Sequence, residues 1–573
     1  MANQHLNYMK ITNFFTIHFS RLIIIILLLA GVLRLWNLNN VPPHLTPDEA
    51  ALGYNAYSIL KTGKDEYGKV MPLIFKSFGD YKPGLFVYAT VPFVGIMGLN
   101  EWSVRLPSAL FGITIVYLLY LISKKMFIEN NSLPENKLLP LIVALVASTN
   151  PWLIYFSRGA WEVNLSLMLT LFGLLFFLKS FSNFKSLILS SLFFAMTLLA
   201  YQGAKLSTGI VLVLLIIVYW KKFWSIPKRY LISSAIAGLL ISLPILFSLF
   251  SGQAGRLEVF SVFSYPRPKD YIQIMLNQGG EKIGDIKYYL FHGETYNFLR
   301  GVLGRWFNHF SGRFLFFEGD WSNPRHSAPY QGVLLLIDMV GLVVGLFVIF
   351  KDKINKENAI LLFWLVLSPL PAILSRDQVH AVRSFNMAIP LIIIIAFGFN
   401  YIVFWIKTLK FSKVFYAVLV VCYTLSAVYF IDSYFVHLPR HDSKLWEYGY
   451  RQIVETVTPI EGNYKKVVVQ QSFAQPYIYF LFFNQYDPAK YQKENSFVNS
   501  EYKFDVGYVT RVGNIYFEAI DWSRNRGDHG TLFVADTLRI PPLDSADEKE
   551  FKLIKEIKYL DNKVTAFRIL EVK

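Results

Sequence analysis

The chain has 573 residues, of which 54% are hydrophobic, 17% are aromatic and only 17% are charged. This composition is too apolar for an average soluble protein. The formal net charge is +16, but lysine and arginine cluster directly after apolar blocks, where such clusters set membrane topology and contact anionic headgroups. No basic stripe with interleaved aromatic residues lies within a polar segment. The charge therefore indicates a lipid bilayer as the partner and excludes nucleic acid.

Eleven apolar segments predict a multi-pass α-helical membrane protein, since each approaches the roughly 20 residues that a spanning helix needs. The segments are 21–38, 103–123, 138–156, 163–180, 186–201, 205–220, 230–250, 330–350, 359–375, 384–405 and 414–435. We expect the first to be a retained span and not a signal peptide, because it is long and lacks a clear small-residue cleavage site.

A twelfth apolar block, at 84–99, is short and carries Pro92 and three glycines. If this block does not cross the bilayer, the basic clusters after the apolar segments all fall on the N-terminal side. These clusters contain Lys124, Lys179, Lys222, Lys351 and Lys407. The positive-inside rule then predicts a plasma-membrane protein with a cytoplasmic N-terminus and a juxtamembrane or re-entrant helix at 84–99. Loops 39–102 and 251–329 and the C-terminal tail become extracytoplasmic.

The tail has a different character, with polar turns between short β-rich runs such as "KKVVVQQS", "TLFVAD" and "KVTAFRILEV". The segment "QPYIYFLFFN" fits either a helix or a strand. Because about 130 residues can sustain a core of their own, we expect two domains. Residues 1–437 would form the transmembrane domain, and residues 438–573 a small extracytoplasmic α+β domain.

Acidic residues open a predicted helix in the first loop, in "HLTPDEAALGYNAYSILKTG". Thr46 and Glu49 have the spacing of a capping box, with Pro47 at the first helical position. Asp48 and Glu49 could simply favour the helix N-terminus. However, a pair of acids at a membrane surface is a costly place for charge unless it is used, so both are candidate catalytic carboxylates.

Two further motifs carry charge at membrane boundaries. Lys82, in "SFGDYKPGLFVY", stands directly before the half-inserted block; it could anchor the chain by snorkelling or bind a phosphate. Arg158 and Glu162 lie four residues apart in "NPWLIYFSRGAWEVNLSL", at the mouth of a span. At that spacing they could form a structural ion pair on one helical face or take part in chemistry.

The later loops bring an unusual set of basic residues to the same side. Each member alone could contact lipid headgroups, whereas together they could bind a departing phosphate or pyrophosphate. The set comprises Arg305, Arg313, Arg325, His380 and Arg383. The histidines lack the close spacing of a zinc site, and no glycine-rich phosphate loop or Ser-His-Asp order stands out. No cofactor is therefore indicated, although paired acids could hold a divalent metal.

Four motifs in this order resemble bacterial members of the protein O-mannosyltransferase superfamily, which also includes lipid A aminoarabinose transferases. They are "TPDEAALGYNAYSILKTG", "GDYKPGLFVY", "NEWSVRLPSALFGITIVYLLYLISKKMF" and "NPWLIYFSRGAWE". The resemblance covers residues 20–200 most closely and weakens in the tail. It implies a GT-C fold, a polyprenyl-phosphate-linked sugar as donor, and transfer to an extracytoplasmic acceptor.

The resemblance also assigns roles to individual residues. Asp48 and Glu49 match the family's Asp-Glu motif, with Asp48 as the catalytic base; Lys82 matches the basic residue near the donor phosphate. Glu162, next to Arg158, matches the acidic residue of the second outer loop. One departure is that Pro83 is followed by Gly84 where relatives often have a second proline.

The predicted function is therefore an inverting glycosyltransferase in which Asp48 accepts the proton of the acceptor hydroxyl. Lys82 would hold the lipid phosphate, together with loop cations drawn from Arg158, Arg305, Arg313, His380 and Arg383. The alternative is a transporter or flippase of lipid-linked sugars, because charges between spans also mark permeation paths. Transporters usually place such charges near the bilayer midplane, whereas here they crowd one face.

Overall fold

The computed structural model describes residues 21–128, 137–250, 261–264, 266–351, 354–472, 474–494, 496–500, 506–561 and 563–573. Residues 251–260 and 265 of the predicted long loop lie outside the described part. The apolar segments form helices, named here in chain order. They are α1 (21–35), α2 (Pro47–Thr62), α3 (Leu85–Met97), α4 (Glu101–Phe127), α5 (Leu139–Thr149), α6 (Pro151–Ser157), α7 (Glu162–Ser180), α8 (Ser186–Ala200), α9 (Ala204–Val218), α10 (Trp220–Trp224) and α11 (Lys228–Phe250).

The second half of the membrane region is connected by helices of the long outer loop. Short 3-10 and π-helical turns link the elements. The helices are α12 (Lys269–Gly279), α13 (Glu294–His309), α14 (Asp338–Lys351), α15 (Lys356–Leu367), α16 (Leu370–Ile373), α17 (Ala388–Lys407), α18 (Ser412–Asp432) and α19 (Leu438–His441).

The protein is a multi-pass membrane protein. Within the described residues, six helices are long and apolar enough to cross a bilayer, or seven if the bent pair α5–α6 is one span. Each of the eleven predicted segments contains a helix, although several helices are short, so the span count remains a prediction. The segment 330–350 begins as a turn, and its helix starts at Asp338, whose carboxylate accepts from the Leu335 N–H at 3.0 Å.

Local sequence explains the 56° bend between α5 and α6. Asn150 ends α5 in an extended conformation, as residues before proline tend to do. Its side chain then accepts from the Leu153 N–H at 2.9 Å, and Pro151 occupies the first position of α6. The chain therefore starts a new helix in the middle of the predicted span at 138–156.

The first outer loop contains α2, the hairpin β1 (Ile74–Ser77) and β2 (Asp80–Pro83), and α3. Phe75 pairs with Lys82 in the hairpin, which fixes the lysine directly before α3. α3 has only 13 residues, about 20 Å at 1.5 Å per residue. Its length fits the predicted juxtamembrane or re-entrant helix better than a complete span.

The C-terminal region contains a six-stranded mixed sheet with the order β6-β7-β3-β8-β10-β9. Its strands and the separate pair β4–β5 match the β-rich runs of the sequence, and "QPYIYFLFFN" forms a helix. The elements are α20 (Tyr450–Val457), β3 (Lys466–Gln470), α21 (Tyr477–Phe483), α22 (Pro488–Glu494), β4 (Phe497–Val498), β5 (Tyr508–Val509), β6 (Arg511–Val512), β7 (Ile515–Glu518), α23 (Trp522–Asn525), β8 (Thr531–Ala535), α24 (Pro542–Ser545), β9 (Phe551–Lys558) and β10 (Thr565–Val572).

α2 is packed between the membrane helices and the C-terminal region. A Cβ added to Gly53 would lie 2.5 Å from the Val104 side chain of α4 and 2.6 Å from the Phe482 ring of α21. The absence of a side chain at Gly53 therefore lets both neighbours approach the helix. On the same helix, the Tyr54 hydroxyl donates to the Tyr486 carbonyl at 3.0 Å.

Candidate functional site

Asp48 is presented at the start of α2 by a complete capping box. The Glu49 N–H donates to the Thr46 hydroxyl at 3.2 Å, and the Thr46 N–H donates to the Glu49 carboxylate at 2.9 Å. Pro47 occupies the first helical position. Thr46 and Glu49 thus satisfy the helix end, and the Asp48 side chain is left free of the capping task.

Asp48 and Lys82 form an ion pair although 34 positions separate them in the chain. The Lys82 Nζ lies 2.5 Å from the Asp48 Oδ1. The Asp48 side chain is 53% exposed and the Lys82 side chain 23%. The hairpin therefore returns the lysine to the N-terminus of α2, where both groups remain accessible to a ligand.

Other charges surround this pair. Burial opposes the charge on Lys82, but the carboxylates of Asp48, Glu162 and Asp80 raise its pKa above the ordinary value. Burial likewise opposes ionisation of Asp48, but Lys82 and then Arg325 outweigh it and hold the Asp48 pKa below its ordinary value. At neutral pH the site consequently contains a lysine cation and an ionised Asp48.

Glu49, predicted as a second catalytic carboxylate, is instead a buried brace. Its side chain is only 4% exposed. Its oxygens accept from the Arg105 Nε at 3.0 Å and from the Ala160 N–H at 3.0 Å, besides the Thr46 N–H. Because all these donors come from the protein itself, Glu49 fixes α2 against α4 and the turn before α7.

Arg105 was missed as an important residue by the sequence analysis. It is fully buried and also donates to the carbonyls of Leu38, Pro42 and His44 at 3.1, 2.9 and 2.7 Å. The signal was present, because an arginine within an apolar span is itself unusual. Arg105 thereby ties the chain entering α2 to the membrane helices.

The structure does not bring all the predicted cations to the Asp48–Lys82 pair. Arg158 is fully buried and donates to the carbonyls of Leu33, Trp36 and Val41 at 3.1, 2.7 and 2.9 Å. Its expected pairing with Glu162 is absent among the described ion pairs, because Arg158 ends α6 whereas Glu162 begins α7.

Two further predicted cations have partners of their own. The Arg305 Nε donates to the Ile373 carbonyl at 2.9 Å in a buried position. Arg313 lies 2.6 Å from Glu318 and is half-exposed. In the described structure, these two arginines support the long loop and its contact with α16.

His380 belongs to a buried polar cluster with Asp320 and His326. Their ligand atoms lie within 4.8 Å of one another, so the group could hold a metal ion. The His326 Nδ1 lies 3.1 Å from Asp320, which also accepts from the Ala381 N–H at 2.7 Å. Residues 320–326 and 380 meet only through folding, which is why sequence spacing gave no metal signature.

Electrostatics define what His380 can do in this cluster. Burial first, then Arg383, His326 and His309, holds the pKa of His380 well below its ordinary value. A neutral imidazole is suited to hydrogen bonding or metal binding and not to pairing with phosphate as a cation. Arg383 lies 3.0 Å from Asp377. Arg383 and Glu162 both contribute to the electrostatic potential at the Tyr201 hydroxyl.

Comparisons with known proteins identify the fold. No protein-family model matches the sequence, and no curated protein matches it significantly. The structure of ArnT from Cupriavidus metallidurans bound to undecaprenyl phosphate is similar, with 11% identity, coverage of 97% of this chain and 98% of that chain, and a TM-score of 0.50. The apo ArnT structure gives 13% identity, 97% coverage of each chain and a TM-score of 0.50.

The archaeal oligosaccharyltransferase AglB from Archaeoglobus fulgidus, in complex with an inhibitory peptide and a dolichol-phosphate, is also similar. The match has 12% identity, covers 81% of this chain and 63% of that chain, and has a TM-score of 0.48. At identities this low, the two ArnT comparisons establish the fold alone. The chain has the GT-C fold, with membrane helices and a C-terminal α+β region.

Proposed function

From this GT-C fold and the exposed ion pair at its membrane boundary, we propose that the protein is a polyprenyl-phosphate-dependent glycosyltransferase. The observation that carries the proposal is the Asp48–Lys82 pair, in which a half-exposed carboxylate contacts an ammonium group placed directly before α3. A base for the acceptor and a cation for the leaving phosphate are the two groups that such a transfer needs. The undecaprenyl phosphate bound by the similar ArnT structure supports this class of donor.

Donor binding would reorganise the pair. A lipid phosphate entering at α3 competes with Asp48 for Lys82, because both are anionic partners of the same ammonium group. Once Lys82 turns to the phosphate, Asp48 loses its hydrogen-bonded counter-charge. Its pKa then rises towards the ordinary range, which makes it a better proton acceptor. Asp80 and Glu162 raise the pKa of Lys82 as well and therefore favour its charged form.

The chemical step is a single displacement at the anomeric carbon. The acceptor hydroxyl oxygen forms the new bond to that carbon while the bond from the carbon to the phosphate oxygen breaks. The hydroxyl proton passes to Asp48, and the polyprenyl phosphate leaves with its electron pair, stabilised by Lys82. Because one displacement occurs, the configuration of the sugar inverts.

The positions of the charges favour a transferase over a flippase. Asp48 begins α2, Glu162 begins α7 and Lys82 precedes α3, so these groups stand at helix ends and not in mid-span. Transporters of this kind usually bind their substrate near the bilayer midplane. We place the site on the extracytoplasmic face, with residues 438–573 as a domain on the same side, from the distribution of basic clusters.

A purified transfer assay tests the proposal. The full chain in lipid nanodiscs is supplied with a set of polyprenyl-phosphate sugars, and release of free polyprenyl phosphate is followed by mass spectrometry. We expect release from at least one donor and its loss in Asp48→Asn. Energy-independent movement of intact donor across the bilayer, without release of polyprenyl phosphate, would instead establish the flippase.

A further inference from the structure

The sheet of the C-terminal region has a topological switch point. β3 runs parallel to both of its neighbours, β7 and β8. The chain leaves β3 towards β7 on one side, whereas β8 leads to β9 and β10 on the other. In open sheets with such a reversal, ligands bind in the crevice outside the carboxyl ends of the strands. Here that crevice lies beyond Gln470, which ends β3, and next to Asp536, which follows β8.

A cleft occupies this position. It has a volume of about 570 Å³, within the roughly 300–1,000 Å³ of sites for small ligands. Its lining includes Gln470 and Asp536 of the C-terminal region and Arg325 and His326 of the long outer loop. The cleft therefore opens between the C-terminal sheet and the loop that carries charge to Asp48.

Glu447 is an unusual residue in the lining. It has a φ of +54°, a left-handed conformation that is uncommon for residues other than glycine and often marks functional sites. Its carboxylate makes no side-chain hydrogen bond with another described residue. Burial raises its pKa to about 7, although Arg325 and Lys444 oppose the shift. The lining of the cleft thus includes a carboxylate that has no hydrogen-bond partner within the described part of the chain.

The cleft is suited to a neutral ligand that carries many hydroxyl groups. Its lining contains two cations, Arg325 and Lys444, and two carboxylates, Glu447 and Asp536. Asp536 is held by Arg539 at 2.6 Å and accepts from the Gln470 amide at 3.0 Å. Carboxylates accept from hydroxyls, arginine and lysine donate to them, and the half-buried rings of Tyr559 and Phe567 offer apolar faces. An anionic ligand would meet the Glu447 carboxylate.

Two observations relate the cleft to the proposed transfer site. Arg325 lines the cleft, and its positive charge lowers the pKa values of both Asp48 and Glu447. The His326 ring, also in the lining, lies 5.5 Å from the ring of Trp161, which immediately precedes Glu162. Through Arg325 and His326, the lining of the cleft therefore adjoins residues that neighbour the proposed transfer site.

We propose that this cleft binds the acceptor, and that the acceptor is a neutral glycan whose terminal hydroxyl reaches Asp48. The inference rests on the proposed function for the word acceptor, but the binding of a neutral glycan can be measured without transfer. In this arrangement the donor phosphate lies at the membrane boundary near Lys82. The cleft lies at the carboxyl ends of strands in the C-terminal sheet. Water-soluble sugar chains therefore fit it better than membrane lipids do.

Binding of defined tetrasaccharides to the full chain tests the inference. The protein is placed in lipid nanodiscs, because maltoside detergents would themselves supply a sugar. Mannotetraose, cellotetraose and chitotetraose serve as neutral probes, and a sulfated tetrasaccharide and inorganic phosphate serve as anionic ones. Saturation-transfer difference NMR reports binding. We expect a neutral probe to bind and the anionic probes to bind more weakly.

Variants locate the binding. Glu447→Gln and Tyr559→Ala should weaken the neutral probe about tenfold or more, the scale of a lost charged hydrogen bond. The matched controls Glu548→Gln and Tyr508→Ala, at exposed positions outside the cleft, should leave it unchanged. Asp48→Asn should also bind the probe, because it removes only the base. Binding that survives both cleft variants, or that is confined to anionic probes, overturns the inference.

Donor turnover separates this inference from the proposed function. If no neutral probe binds while the donor still transfers its sugar to water or to a lipid acceptor and releases polyprenyl phosphate, the glycan cleft is refuted and the transferase stands. If neutral probes bind as expected but no donor is ever cleaved, the cleft stands as a glycan site and the transferase fails.

Discussion

Replacing the two neighbouring carboxylates at the start of α2 by amides should distinguish a catalytic side chain from a structural one. Asp48→Asn and Glu49→Gln make the same chemical change at adjacent positions. Asp48 is half-exposed and its described side-chain contact is the ion pair with Lys82. An exposed pair contributes at most about 1 kcal/mol to stability, so the Asn variant should insert and unfold almost as the parent does.

The Glu49 variant should behave in the opposite way. Its two oxygens face donors from Thr46, Arg105 and Ala160, and an amide would replace one acceptor with a donor. Arg105 would also lose its buried counter-charge. Breaking a buried pair costs about 3–5 kcal/mol, partly offset by the backbone carbonyls that Arg105 keeps. We therefore expect Glu49→Gln to lower the unfolding temperature markedly.

The rate of sugar transfer is the second quantity to be compared between the variants. A general base cannot be replaced by an amide, so Asp48→Asn should lose about 100-fold or more in transfer rate, equivalent to about 2.7 kcal/mol. Any folded Glu49→Gln protein should retain more activity than Asp48→Asn. Thr46→Ala serves as a capping control and should lose about 1 kcal/mol of stability with transfer largely kept.

The measurement is apparent unfolding temperature beside the rate of sugar transfer for the same nanodisc preparations. Full transfer by Asp48→Asn would remove this residue as the base. If Asp48→Asn strongly lowered the unfolding temperature and Glu49→Gln did not, the structural role of Glu49 in holding α2 would be refuted. Either result would contradict the contacts, which indicate a catalytic role for Asp48 and a structural role for Glu49.

Three further predictions follow from other contacts. Lys82→Ala should lower kcat/KM for the donor about 10- to 100-fold, because the phosphate loses a charged contact. Lys82→Arg should recover part of this loss. The control is Lys61→Ala, at an exposed position on α2. Burial raises the pKa of Glu66 to about 8, so the folded state binds its proton more tightly than the unfolded chain. Stability should then fall as pH rises from the ordinary Glu pKa of about 4.5 towards about 8, and Glu66→Gln should flatten the unfolding temperature across that same interval, from about pH 5 to about pH 8. An unchanged pH profile in the variant would contradict this. In a background lacking Cys422, outside labelling should reach a cysteine at Asn277 but not at Lys356, and the reverse pattern would overturn the topology.

Much of the fold could be predicted from the sequence because membranes impose simple rules. Apolar length locates the helices. The 13 residues of α3 fit the juxtamembrane or re-entrant helix that the basic clusters predict. Asp48 and Lys82 could be recognised because each lies in a short motif beside a membrane boundary. Their mutual contact depends on the hairpin that pairs Phe75 with Lys82, and strand pairing of this kind is not specified by either motif alone.

The remaining parts depend on contacts between distant segments. The cluster of Asp320, His326 and His380 joins two loops, so a search for closely spaced ligands could not find it. Arg158 and Glu162 have the spacing of a helical pair, but Gly159 and Ala160 interrupt the helix between them. Helix breaks inside apolar segments therefore limited the prediction of side-chain partners more than the prediction of the helices themselves.

Gly53 gives the C-terminal region a direct mechanical connection to the proposed base. It lies in contact distance of both Val104 and Phe482 and five residues beyond Asp48, about 7.5 Å along the helix axis. At Gly53, α2 packs closely against α4 and α21 with no flexible side chain between them. A movement of the C-terminal region relative to the membrane helices would therefore displace α2. Such a shift would therefore move the carboxylate itself. A truncated protein without the C-terminal region would lose α21, one of the surfaces that hold α2, so its stability and activity would not represent those of the full chain.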